Sequence, residues 1–230
     1  MGKIKIYSAY TNEMEAIKHI FLNTMQDDWE VNLTYLGNAG EGNGDFHTRG
    51  WLDVQKRKLE FIIGKIEENL ADVIIWSDLD IQFFAECTPL IRRAIEGKDV
   101  LYQAERWPRK DEVNIGFAVI RCNEQTLALY RMALQYNLDE LQVADQAAIN
   151  DILAKNRIDI KWDILPKQFW AMSHYLYDNC VPPADVVLHH ANCTSPQTVN
   201  GKMIGSVELK LQQFELVKGY IHSNRKNAAG

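Results

Sequence analysis

The chain has 230 residues and a mass of 26.5 kDa, the size of one substantial domain. Apolar residues make up 47% and charged residues 24%, a globular rather than a disordered composition. A formal net charge of −6 argues against a general nucleic-acid or anionic-membrane binder, and no apolar run approaches the roughly 18 residues that cross a bilayer.

The N-terminus, MGKIKIYSAY, lacks the apolar core of a signal peptide and enters a strand pattern at once, so a cytoplasmic protein is expected. Residues 3–10 read as a strand, and Thr11-Asn12 can start a helix over 13–25 in which Ile17, Ile20, Phe21 and Met25 recur near helical spacing. A second strand is expected at 31–36. The stretch 37–50 holds Gly37, Gly40, Gly42, Gly44 and Gly50, a loop of the length that often serves as a lid or binding loop. Helical periodicity returns over 51–69, with Leu59, Ile62, Ile63, Ile66 and Leu70 on one stripe. Apolar runs at 72–76 and 81–84 flank Ser77-Asp78-Leu79-Asp80. There follow a helix opened by Pro89, a strand at 100–103, a charged loop at 105–112, a strand at 114–121, and helices near 124–136 and 143–155. A Trp- and Tyr-rich stretch leads to a strand at 186–189. Val207, Leu211, Phe214, Val217 and Ile221 then mark an amphipathic helix, and 223–230 reads as a polar tail behind a single domain of residues 1–222. Strands alternating with helices predict an α/β fold with a mostly parallel sheet covered on both faces, whose ligands bind at the carboxyl ends of the strands.

Several chemistries lose ground by absence. There is no G-x-G-x-x-G, the Gly-Lys pairs at 64–65, 97–98 and 201–202 lack the Ser or Thr of a phosphate loop, and neither H-E-x-x-H nor G-x-S-x-G occurs. The cysteines, Cys87, Cys122, Cys180 and Cys193, lie far apart with no C-x-x-C pair and read as reduced thiols.

The most informative segment is the apolar strand that runs into Asp78-Leu79-Asp80. Carboxylates at i and i+2 of an extended chain face the same side, where like charges repel. A hard divalent cation between them reverses that penalty, whereas a turn in which both side chains accept backbone amides would satisfy them without one. Two further places can complete such a site. Val186-Val187-Leu188-His189-His190 ends an apolar strand in two imidazoles, one of which faces the same side as the carboxylates. Asp145 shares the helical stripe of Ile149 and Ile152, so its carboxylate points inward at a helix start, a placement that an N-cap role also explains. Lys202 follows the flexible Gly201 and suits a phosphate. Trp51, Trp107 and Trp170 can offer sugar-stacking faces or simply pack in the core.

Taken in order, Tyr7-Ser8-Ala9-Tyr10-Thr11, Trp76-Ser77-Asp78-Leu79-Asp80, Asn114-Ile115-Gly116-Phe117, Asp145-Gln146-Ala147-Ala148-Ile149-Asn150, and His190-Ala191-Asn192 with Gly201-Lys202 resemble the GT-A glycosyltransferases of the nucleotide-diphospho-sugar transferase superfamily, over residues 3–205. The set is most similar to the retaining glycogenin and lipopolysaccharide-galactosyltransferase type. The resemblance implies a donor that is a nucleotide-diphosphate sugar, a UDP-sugar, and an acceptor hydroxyl on a glycan or lipid-linked saccharide met in the cytoplasm or at a membrane face. It implies that Asp78, Asp80 and His190 hold Mn²⁺ or Mg²⁺ on the donor diphosphate, with Lys202 as a second positive contact. It places Ala9, Tyr10, Thr11 and Leu79 at the nucleotide, and Lys58, with Lys56 as the other choice, against the donor. Asn114, Asp145 and Gln146 would surround the donor sugar. The spacing from His190 to Lys202 is longer than the compact H-x-x-G-x-x-K of such enzymes, and the loop at 105–112 matches no pattern of the family.

Transfer with retention is the expectation. Inversion would need a carboxylate base at the acceptor, Asp145 or Glu105. The competing readings are a haloacid-dehalogenase-like phosphotransferase with Asp78 as nucleophile, and a catalytically silent nucleotide-sugar binder.

Overall fold

A computed structural model describes residues 2–38, 40, 49–105, 111–139, 143–171, 182–192 and 196–228. Most of the glycine-rich stretch, Trp107 with the middle of the charged loop, Cys180 and Cys193 lie outside the described residues.

The central sheet is built from β1 (Lys5–Tyr10), β2 (Glu30–Tyr35), β3 (Val73–Ser77), β5 (Val100–Ala104), β6 (Val113–Arg121) and β7 (Trp162–Ile164), in the order β2-β1-β3-β6-β5-β7. β1 runs parallel to β2 and β3, and β5 parallel to β7, while β6 is antiparallel to both of its neighbours. The sheet is therefore mostly parallel, as expected, with one reversed strand that the apolar pattern of 114–121 could not distinguish. A three-stranded sheet joins β4 (Ile81–Phe83), β9 (Leu188–His190) and β8 (Phe169–Trp170) in the order β4-β9-β8, and β10 (Gln197–Val199) pairs with β11 (Lys202–Ile204) as a hairpin. Strand β9 ends one residue later than the sequence pattern suggested, and so takes in His190.

Each face of the central sheet carries its own core. The period-2 alternation of the strands divides the side chains: Tyr7, Ile74 and Trp76 enter one cluster, Ile6 and Ile75 the other. The first is covered by α2 (Arg49–Glu68), α4 (Glu124–Asp139) and α5 (Asp145–Ala154), through Leu59, Ile62, Ile66, Leu129, Ile149 and Ile152. The second is covered by α1 (Glu15–Thr24), α3 (Thr88–Ala94), the small sheet and α6 (Ser206–Ala228), through Ile17, Phe21, Ile91, Phe83, Leu188 and Phe214. Side chains of this size contribute about 1.5–3 kcal/mol each when fully withdrawn from water. Helix α6 continues through the segment read as a polar tail. Arg225 there donates to the carbonyls of Phe84, at 3.3 Å, and Val186, at 3.0 Å, which ties the last turns to the small sheet.

One irregularity positions the site. Tyr102 pairs with Ala118, but the next residue, Gln103, pairs with Asn114, so Ile115, Gly116 and Phe117 bulge out of the β5–β6 ladder. The two faces exchange phase across this bulge: Val113 and Ile115 face the first core, whereas Phe117 and Val119 face the second. Bulges of this kind re-aim side chains. Here Asn114 is turned toward the carboxyl end of β3.

Candidate active site

Asp78 follows the last residue of β3, and its N–H donates to the Gly116 carbonyl at 2.6 Å. Asp80 precedes β4 and is 7% exposed. The pairing of β4 with β9 sets Ile81 opposite His190 and Gln82 opposite His189, so the two imidazoles leave on opposite faces. His190 faces the carboxylates, with Nε2 3.2 Å from Asp80 Oδ1. His189 packs in the core against Trp170 and Phe214, with Nδ1 2.8 Å from Gln82 Nε2, and burial, the main influence on it, lowers its pKa to about 3. The choice between the two histidines, open at the level of sequence, thus falls to His190.

Asn114 sets the state of the His190 ring. Its Nδ2 donates to Glu105 Oε2 at 2.7 Å, which turns its oxygen toward the Gly116 N–H, at 2.9 Å, and His190 Nδ1, at 3.1 Å. An amide oxygen only accepts, so Nδ1 carries a proton and Nε2 of the neutral ring presents its lone pair to Asp80. That contact between two acceptors is satisfied by a proton on Nε2 or by a cation that both ligate. Gly116 leaves room for the ring: a Cβ on it would stand 2.1 Å from His190 Cε1. The N-x-G pattern therefore has a steric and a hydrogen-bonding reason.

Lys58, from α2, is 6% exposed and reaches between two carboxylates. Its Nζ lies 2.8 Å from Asp78 Oδ1 and 3.2 Å from Asp145 Oδ2. Burial works to lower its pKa, but Asp145 and Asp78 outweigh it and hold the ammonium above its ordinary value. Asp145 is the first residue of α5, after Ala144 at the N-cap, and its Oδ1 accepts the Gln146 N–H at 2.7 Å. Burial, the largest influence, raises its pKa despite Lys58. With the Gln55 amide oriented to suit its neighbours, Gln55 also donates to Asp145 and accepts from Trp51 Nε1 at 3.0 Å. Gln146 donates to Glu105 Oε2 at 3.1 Å, and Asn150 braces β6 through both the N–H and the carbonyl of Val113, at 2.8 and 2.9 Å.

Not every expected residue arrives. Lys202 is exposed on the β10–β11 hairpin and lines neither cavity of the site. The lysine that stands at the carboxylates is instead Lys210 of α6, whose Nζ lies 2.5 Å from Asp80 Oδ2 and 2.8 Å from the Ala191 carbonyl. Burial would raise the Asp80 pKa, but Lys210 and His190 hold the carboxyl well below the usual range. A signal was present: Lys210 falls three residues after Val207 and four before Phe214, on the inward seam of α6. Lys56 pairs with Glu60 at 3.8 Å on the outer side of α2, so Lys58 alone of the two reaches the site.

Around these groups lies a cavity of about 1000 Å³, lined among others by Asp78, Asp80, Glu105, Asn114, Asp145 and Gln146. A second, of about 210 Å³, shares Lys58, Asp78, Asp80 and Lys210 with it and extends to Ala9, Tyr10 and Thr11. Leu79 lines this smaller space while most of its side chain packs in the second core. Trp51 borders both cavities, whereas Trp170 is core.

A family model for nucleotide-diphospho-sugar transferases matches residues 14–204. The chain belongs to that family. As a nucleotide-diphospho-sugar transferase it is a glycosyltransferase, and its solved relatives share the GT-A fold. The galactosyltransferase LgtC, in complex with donor and acceptor sugar analogues, is 14% identical with a TM-score of 0.56, over 94% of this chain and 96% of that one. A glycosyltransferase involved in glycosylating the major capsid of PBCV-1 is 12% identical with a TM-score of 0.58, over 94% and 100%. Apo GlyE of Streptococcus pneumoniae TIGR4 is 10% identical with a TM-score of 0.59, over 99% of this chain and 64% of that one. Among curated protein sequences none matches significantly. The family match leaves the phosphotransferase reading of Asp78 without support.

The donor set suits a divalent cation. Ligand atoms of Asp78, Asp80 and His190 all lie within 4.8 Å of one another. Two carboxylates and one imidazole fit Mn²⁺ and accommodate Mg²⁺ less readily, since Mg²⁺ favours an all-oxygen shell. No described helix is long and apolar enough to cross a membrane.

Proposed function

We propose that this transferase moves a hexose or pentose from a UDP-sugar to a hydroxyl of a glycan or lipid-linked saccharide, with Mn²⁺ held by Asp78, Asp80 and His190. The observation that carries the reading is the convergence of these three residues where two cavities meet, Asp78 and Asp80 lining both and His190 the larger. The smaller cavity, with Ala9, Tyr10 and Thr11, has the place of a nucleoside site. The larger, with Asn114, Asp145 and Gln146, has the place and size of a site for donor sugar and acceptor. Bound there, the metal would stabilise negative charge on the departing nucleoside diphosphate as a Lewis acid.

The chain's own residues orient the donor. Asn114 and Gln146 present amides beside the buried Glu105, in a position to hydrogen-bond sugar hydroxyls and hold the anomeric carbon toward the acceptor. Retention is the favoured outcome. An inverting transfer needs a carboxylate base beside the acceptor hydroxyl, whereas Asp145 is committed to Lys58 and the Gln146 N–H, and the buried Glu105 to the Asn114 and Gln146 amides.

The test is release of UDP from a panel of UDP-sugars with Mn²⁺, with and without saccharide acceptors. Activity that is abolished by EDTA and in Asp80→Asn supports the proposal. Nucleotide-sugar binding without turnover across the panel would favour the silent binder, and activity unaffected by EDTA would remove the metal.

A further inference from the structure

Three of the four carboxylate oxygens of the Asp-x-Asp pair already accept from donors of the protein. Asp78 Oδ1 accepts from Lys58 at 2.8 Å and from Trp76 Nε1 at 3.0 Å, and its Oδ2 lies 3.1 Å from the same Lys58 Nζ. Asp80 Oδ1 faces His190 Nε2 at 3.2 Å, and its Oδ2 pairs with Lys210 at 2.5 Å. The two lysines come from different helices, α2 and α6, and both border the two cavities. They differ in what else holds them. Lys58 is fixed by a second carboxylate, Asp145, whereas the other partner of Lys210 is the neutral carbonyl of Ala191.

A divalent ion arriving alone at Asp80 Oδ1 must therefore either bind beside the ammonium charge held on Oδ2 or displace it, and a displaced Lys210 finds no second carboxylate among its contacts with the described residues. A nucleoside diphosphate changes the balance, because its phosphate oxygens accept the ammonium while the metal takes the carboxylates. We propose that Lys210 is a resident counter-ion that keeps the site closed to metal alone, and that it transfers to the donor diphosphate when metal and nucleotide load together. Metal and nucleotide are then reciprocally coupled through one side chain: whatever factor UDP adds to the affinity for Mn²⁺, Mn²⁺ adds to the affinity for UDP. Lys58, anchored by Asp145, stays in place and orients Asp78. This inference rests on the metal-dependent reading above.

The experiment is titration of the 230-residue chain with MnCl₂, the free ion followed by electron paramagnetic resonance, with and without UDP. It compares wild type, Lys210→Met, Lys210→Gln and Asp80→Asn. Removing one opposing charge at this distance should tighten binding of Mn²⁺ alone by on the order of tenfold in both Lys210 variants. The same variants should lose most of the enhancement that UDP confers, and melting of Lys210→Met should be raised by Mn²⁺ more than that of wild type. Lys210→Gln keeps a donor for Asp80 and guards against loss of folding. If both Lys210 variants bind Mn²⁺ no tighter than wild type, or keep the full coupling to UDP, the counter-ion role is overturned. The metal site itself is judged separately: binding that survives in Asp80→Asn would remove the metal reading, whatever Lys210 does.

Discussion

Gly116 and His190 occupy the same few ångströms of space, and only the absence of a Cβ allows it. A methyl group on Gly116 would fall 2.1 Å from Cε1 and 2.7 Å from Nδ1 of the ring. The same ring nitrogen is held by Asn114, two residues earlier on β6, so one short bulge supplies both the room and the hydrogen bond for this imidazole. Gly116→Ala should displace His190 and lower metal affinity by about 10–100-fold, the range expected when the support of a ligating histidine is lost. Asn114→Ala should cost a similar factor, and the double variant little more than either alone, since both act through one ring. Mn²⁺ titration of the three variants checks this. Additive losses would show that the two residues act independently.

Lys58 neutralises the buried Asp145 and the half-buried Asp78 at once, and its removal leaves both. Lys58→Met should destabilise the fold by about 3–5 kcal/mol near neutral pH, measured by urea unfolding. The sign of the pH dependence follows. Without the ammonium group Asp145 binds its proton more tightly in the folded than in the unfolded chain, so the folded state holds more protons and stability falls as pH rises above about 4. The loss should therefore shrink on acidification, and Lys58→Met combined with Asp145→Asn should recover part of it.

The last turns of α6 are fastened by Arg225 rather than left loose. Truncation after His222, or Arg225→Ala, removes its bonds to the Phe84 and Val186 carbonyls and should cost about 1 kcal/mol, because the guanidinium is exposed to solvent. A melting curve unchanged from wild type would show that these bonds contribute nothing measurable.

Cys87 and Cys122 are buried thiols. Burial, the main influence on each, pushes Cys122 up to about 12 and Cys87 well above its ordinary value. Neither should be alkylated by iodoacetamide in the native protein at pH 8, and both should react once it is unfolded, as peptide mass spectrometry would show.

Local pattern made much of this architecture legible. Alternation and helical periodicity located β1, β2, β3, β5, β6 and the main helices, because each element buries a face of its own, whereas β7 was not expected. The reversal of β6 was not legible, since a strand buried on both sides looks alike in either direction. The Asp-x-Asp pair stood out because two charges between apolar runs need an explanation, and His190 separated from His189 only once the register with β4 was known. Lys202 drew notice because a lysine after glycine looks like a phosphate contact, and Lys210 drew none. A lysine on an apolar seam is easily passed over, although burial next to a carboxylate is what that position dictates. Asn150 was legible only as the end of the Asp145–Asn150 motif, as its partners are backbone atoms of Val113 and Gln146.

The reversed strand also has a consequence for change over time. Parallel strands reach the site edge only by their ends, whereas β6 begins there, so β5 leaves and β6 returns at the mouth of the larger cavity. Glu105 and Glu112 close that excursion with one hydrogen bond, from the N–H of Glu105 to the carbonyl of Glu112 at 3.0 Å. Chain can be added or exchanged between them at small entropic expense and without touching either core. The fold thus keeps a place at the mouth of that cavity where sequence can change while Asp78 and Asp80, between β3 and β4, and His190, on β9, remain as they are.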